Sequence, residues 1–151
     1  MQEAVSARTP AHLWIVAFLS LLWSCFGAYD YVMTRMQSMA YLKSSMPGVD
    51  PQVAIDWINN MPLFAQFGWG LGVWSGLLGS VLLLVRSRFA VWAFAASMLG
   101  IVLGIGYQLV AAPPLPGATG AMYQLMPYVI IVVGVALLAY SQVMARKGVL
   151  R

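Results

Sequence analysis

The chain has 151 residues, 62% of them hydrophobic and 8% charged, with a mean hydropathy of +0.82 and a net charge of +4. A soluble domain carries roughly 25% charged residues, so there is too little charge here to clothe a water-facing surface, and the composition reads as one integral membrane domain. The small positive charge is accounted for by membrane topology rather than by nucleic-acid binding, and the single cysteine, Cys25, excludes an intrachain disulfide.

A membrane helix needs about 20 mostly apolar residues. The first qualifying segment, at about 13–33, ends in the stretch "GAYDYVMTR", where Asp30 stands between Tyr29 and Tyr31 and ahead of Arg35. The tetrad Leu22-Trp-Ser-Cys25 is similar to a lipoprotein cleavage box, but Trp23 fits that box poorly and the apolar run continues past it, so the segment reads as a span. The following loop contains "DPQVAIDWINNM", in which Asp50 is placed as N-cap and Pro51 as first helical residue. Val53, Ala54, Trp57, Ile58 and Met61 follow helical spacing, which predicts a short amphipathic helix at the membrane surface. Spans two and three, at about 64–85 and 89–110, are joined by the tight turn Arg86-Ser87-Arg88. A proline-stiffened loop, Ala112 to Gly117, precedes the fourth span at about 123–144. The expected fold is therefore all-α: a four-span transmembrane helix bundle with a short amphipathic helix in the first outer loop.

Short loops rich in Lys and Arg stay cytoplasmic. Arg8, Arg86, Arg88, Arg146, Lys147 and Arg151 fall on one side of this topology, and Arg35 and Lys43 on the other. Both termini are expected in the cytoplasm and both longer loops outside. The corresponding location is a bacterial inner membrane.

Membrane helices associate by close packing of small residues, because lipid is as apolar as leucine. Gly68, Gly72, Gly76 and Ser80 recur every four residues in span two, and Ser97, Gly100 and Gly104 answer in span three. The two faces are expected to touch in an antiparallel hairpin. A dimer interface is the alternative use of such a face.

Constellations for catalysis are missing from the sequence: there is one His, one Cys, no carboxylate pair within a span, no phosphate loop and no zinc-ligand spacing. Asp30 and His12 lie near opposite ends of one helix, about 27 Å apart at 1.5 Å per residue. The chain is read as a non-enzyme without cofactor or bound metal. The spacing of Met33, Met36 and Met39 would suit Cu(I) thioether ligation, yet equally suits apolar filler where a helix leaves the membrane. Ion-coupled carriers place an ionisable group deep in the membrane, as the small multidrug resistance transporters do, whereas the middle of each span here has none. Polar and aromatic side chains gather at the outer ends instead: Tyr29, Asp30, Tyr31 and Arg35 in span one, Gln66 and Trp69 in span two, Tyr107 and Gln108 in span three, Tyr123, Gln124 and Tyr128 in span four. That is the pattern of an interfacial aromatic belt, with Asp30 satisfied by tyrosine hydroxyls or Arg35. It is also what an outward vestibule for a small solute such as a sugar would use.

Several segments together resemble a group of small bacterial four-helix membrane proteins often labelled "sugar transporter" or uncharacterised. They are "LLWSCFGAYDYVMTRM" with "YL" after it, Met61-Pro62, "GVWSGLLGSVLLLVRSRFAVWAF" leading to "SMLG", Tyr107, Met126-Pro127 and the tail "YSQVMARKGVLR". The chain departs from that group at Ser24, where members often have Asn, and at Asp30, where an acid is not required. Two functional expectations follow. One is a non-enzymatic structural or accessory subunit of a membrane assembly, with lipid and partner proteins as its contacts. The other, implied by the resemblance, is small-solute transport by a homo-oligomer.

Overall fold

A computed structural model of the chain describes residues 9–151; Arg8, counted above among the cytoplasmic basic residues, lies outside the described residues. Among these the chain forms six helices: α1 (Ala11–Arg35), α2 (Met39–Ser45), α3 (Pro51–Asn59), α4 (Leu63–Leu84), α5 (Ala90–Val110) and α6 (Ala121–Arg146). Four of them, α1, α4, α5 and α6, are long and apolar enough to cross a membrane. Their ends fall within two residues of the boundaries read from hydropathy.

The first long loop holds two short helices rather than one. Asp50 caps α3 as its sequence position requires, with Oδ1 accepting from the backbone N–H of Gln52 at 2.8 Å and of Val53 at 3.4 Å. The additional helix α2 starts on Ser38, whose hydroxyl accepts from Tyr41 N at 3.4 Å. The buried face of α3 is Ala54, Ile55 and Ile58, while Val53 is left exposed. The expected apolar face is thus rotated, because α3 packs with Ile55 inward. Met33 and Met36 close α1 and Met39 opens α2, so the three methionines do not share one helix.

The spans alternate in direction, with α1 packed on α4, α4 on α5 and α5 on α6. The most intimate contact is α4 on α5. A Cβ on Gly100 would lie 2.2 Å from Gly72 N and 2.6 Å from Gly68 O, and a Cβ on Gly68 would lie 2.5 Å from Leu103 Cβ. Ser97 Oγ donates across this seam to Gly72 O at 2.7 Å. The stripe is not the straight four-residue repeat. Steps of four on a helix with 3.6 residues per turn drift by about 40° each, so Ser80 has rotated away from α5 onto α1, where its hydroxyl pairs with that of Ser24 at 3.0 Å. Gly79 takes its place on the α5 face, where a Cβ would come 2.9 Å from the ring of Phe94. Helix α6 approaches α5 at Gly134, which faces Met98 and Ile101.

One end of the bundle is sealed by the chain terminus. Leu13, Ala17, Leu83, Ala90, Phe94, Met144, Val149 and Leu150 form its buried core. Residues 149–151 run along the α4–α5 turn: Arg88 N donates to Arg151 O at 2.9 Å and Arg151 N to Arg86 O at 2.7 Å. The Arg86 guanidinium adds two bonds of 3.3 Å to Val149 O. Here α1 and α6 also meet, with His12 Nδ1 2.6 Å from the Tyr140 hydroxyl.

Candidate functional site

The opposite end, marked by Arg35, carries most of the polar and aromatic side chains singled out above. Helix α1 stops there in a Schellman turn: Gln37 N bonds to Thr34 O at 3.0 Å and Ser38 N to Met33 O at 3.1 Å. Such a turn needs a left-handed residue, usually glycine, but this one uses Gln37 at φ 54°. The turn folds α2 back so that the Tyr41 hydroxyl donates to Asp30 Oδ1 at 2.7 Å. Tyr29 meets the Tyr41 ring edge to face, with centroids 5.5 Å apart. Burial first, and then the hydrogen bond and charge of Asp30, push the Tyr41 hydroxyl above the ordinary phenol range. The folded state therefore holds this proton more tightly than the unfolded chain, so the contribution is complete below the usual phenol pKa of about 10 and is lost only as pH rises beyond it.

Arg35 does not pair with Asp30. Its Nη1 donates to Gln66 Oε1 at 3.0 Å, and Gln66 Nε2 donates to Met61 O at 2.8 Å, which ties the end of α1 to the start of α4. Tyr31 stacks edge to face on Trp69 at 4.8 Å and approaches Trp74 at 6.1 Å. Its hydroxyl lies over Gly70, where a Cβ would come within 2.9 Å. Tyr107 packs instead on Phe64, at 5.7 Å. Gln108, Gln124 and Tyr128 are exposed. Tyr123 has its hydroxyl buried without a hydrogen-bond partner. The structure thus gathers Tyr29, Asp30, Tyr31, Arg35, Gln66 and Trp69 on the α1–α2–α4 side and leaves the residues from α5 and α6 apart from them.

The two loops at this end are knitted together. Trp57 Nε1 donates to Pro113 O at 2.8 Å. Gly117, at φ 84°, sits so close to Gly48 that a Cβ would lie 2.3 Å from Gly48 O. Between the end of α1 and α3 a cleft of about 60 Å³ opens, lined by Thr34, Arg35, Gln37, Ile55, Ile58 and Asn59. Arg35 is the one lining residue that sequence reasoning placed in the outer polar set, Ile58 having been named only for the apolar face of α3. Tyr41, Thr34, Gln37 and Asn59 went unselected, because only the turn at Gln37 brings α2 and α3 back against α1.

Asp30 offers a direct test of what this cluster does. Asp30→Asn keeps an acceptor for Tyr41 and is expected to leave detergent stability nearly unchanged. Asp30→Ala strands the Tyr41 hydroxyl and should cost about 1 kcal/mol, the lower end of the range for an unpaired polar group because the site is partly hydrated. A melting temperature for Asp30→Ala equal to that of the wild type would show that the bond does not hold α2 in place.

Four helices in alternating direction, each long and apolar enough to cross a membrane, are the architecture of a multi-pass helical membrane protein. No protein-family model, curated protein or solved structure matches this chain.

Proposed function

We propose that this is a non-enzymatic structural or accessory subunit of a membrane assembly, residing in a bacterial inner membrane with both termini in the cytoplasm. The observation that carries the reading is the contrast between α5 and α6. A third of the most apolar stretch of α5 is buried within the chain (33%), against 11% for α6. Leu125, Val129, Val132 and Val135 of α6 stay exposed, and α6 shares no extended backbone contact with α1. In a membrane such a face is covered by lipid or by another helix, and a rigid glycine-locked hairpin behind it makes a firm platform for the latter. Photo-cross-linking from Val132 and Val135 in native membranes should capture a discrete protein partner. Exclusively lipid adducts at both positions would sink the proposal.

The orientation rests on the basic residues, with Arg86, Arg88, Arg146, Lys147 and Arg151 at one end and Arg35 and Lys43 at the other. Reporter fusions after Arg88 and after Arg151 should read as cytoplasmic and one near Gly117 as external. A cytoplasmic reading at Gly117 would reverse the assignment.

A second reading, small-solute (sugar) transport by a homo-oligomer, draws on the polar cleft at the Arg35 end and on the resemblance described above. It predicts uptake of at least one member of a sugar panel by reconstituted protein. Such uptake, lost on replacing Arg35, would put transport first.

A further inference from the structure

We propose that the cleft between the end of α1 and α3 is a binding site for an oxyanion of the phosphate class, presented either by a phospholipid headgroup or by a free solute. The inference stands independently of the functional reading above. Four of the lining residues carry side-chain donors: Thr34 a hydroxyl, buried and unpaired, Arg35 a guanidinium, and Gln37 and Asn59 amides. No carboxylate lines the cleft, and the acids nearest in sequence are occupied elsewhere, Asp30 by Tyr41 and Asp56 by Gln52. One guanidinium nitrogen of Arg35 is used on Gln66, which orients the group and leaves further N–H donors for a ligand. Arginine's planar fork suits tetrahedral oxyanions.

Two features of the cleft are unfavourable for the fold alone. Thr34 is 4% exposed and its Oγ1 has no hydrogen-bond partner, although an unpaired buried hydroxyl is destabilising. Gln37 occupies a left-handed conformation at φ 54° that glycine would adopt without strain, and the residue lines the cleft. Both become intelligible if the two side chains serve a ligand. Ile55 and Ile58 form the apolar part of the wall. The position at the end of a span, where Arg35 emerges, is the depth at which phospholipid phosphates lie.

The test uses the full-length protein in two arms. In detergent, inorganic phosphate binding is followed by ³¹P line width. In vesicles of phosphatidylglycerol and phosphatidylcholine, retention of phosphatidylglycerol by the extracted protein is followed by native mass spectrometry. Saturable binding in the first arm identifies a free oxyanion as sufficient; binding confined to the second identifies a headgroup. In whichever arm binds, Arg35→Gln should weaken binding about tenfold or more, the equivalent of one charge-assisted hydrogen bond. Thr34→Val and Gln37→Gly should also weaken it while leaving the melting temperature equal to or above that of the wild type, a combination that a purely structural role does not produce. Absence of saturable binding in both arms, or binding unaltered by Arg35→Gln and Thr34→Val alike, would overturn the proposal.

Discussion

Gly100→Ala is expected to lower stability by about 1–3 kcal/mol or more, the cost of overpacking a site that cannot yield. The added methyl would need the space of Gly72 N, 2.2 Å away, and Gly68 O, 2.6 Å away. Both are backbone atoms in the middle of a helix, so relief requires α4 and α5 to separate. Separation also lengthens the Ser97 to Gly72 hydrogen bond, which crosses the same seam. The neighbouring glycines supply the controls. A Cβ on Gly72 meets its nearest atoms at 3.5 Å, an ordinary contact, and one on Gly106 meets nothing within 4 Å. Gly72→Ala and Gly106→Ala should therefore melt close to the wild type in detergent, whereas Gly72→Leu, which adds more volume than the seam holds, should not. Equal melting temperatures for Gly100→Ala and the wild type would show that the two helices are not in backbone contact.

The second large effect is expected from removing residues 149–151. Val149 and Leu150 are 4% and 5% exposed, and burying such side chains stabilises by about 1.5–3 kcal/mol each when the alternative is water. The alternative here is water rather than lipid, since these residues follow the polar Arg146 and Lys147 at the end of α6. Truncation also leaves Arg88 N and Arg86 O without their partners in Arg151 and deprives the Arg86 side chain of Val149 O. Arg86 sits at φ 62°, a left-handed conformation unfavourable for a side-chain-bearing residue. The clasp compensates for that conformation, so its loss should loosen the α4–α5 turn. Proteolysis at Arg86 and Arg88 is expected to be slow in the intact protein and fast after truncation. Unchanged cleavage would mean that the turn is held without the tail.

The sequence by itself determined the four spans, because about 20 consecutive apolar residues have one stable use in a bilayer, a helix that satisfies its own backbone. It determined the cap of α3 as well, since Asp50 followed by Pro51 is a local signal that acts within one turn. The division of the basic residues between the two ends was legible for the same reason: it depends on how many times the chain crosses, not on how the crossings pack. Tertiary structure decided the rest. Four-residue spacing marked a glycine face on α4, but the drift of that spacing around the helix transferred Ser80 to α1 and brought in Gly79, which depends on where two neighbours stand at once. The polar residues at the Arg35 end were visible as a set, yet the fold divided them, because α1 closes on α4 there while α5 and α6 present theirs elsewhere. Gln37 carries no sequence mark of a left-handed residue. Its conformation follows from the turn that returns α2 to Asp30 and lays α3 against Thr34, so the cleft exists only once those three helices have met. The basic residues of the turn and tail looked like topology signals alone; their second role, clasping the chain end across Arg86 and Arg88, required two segments more than sixty residues apart to be brought side by side.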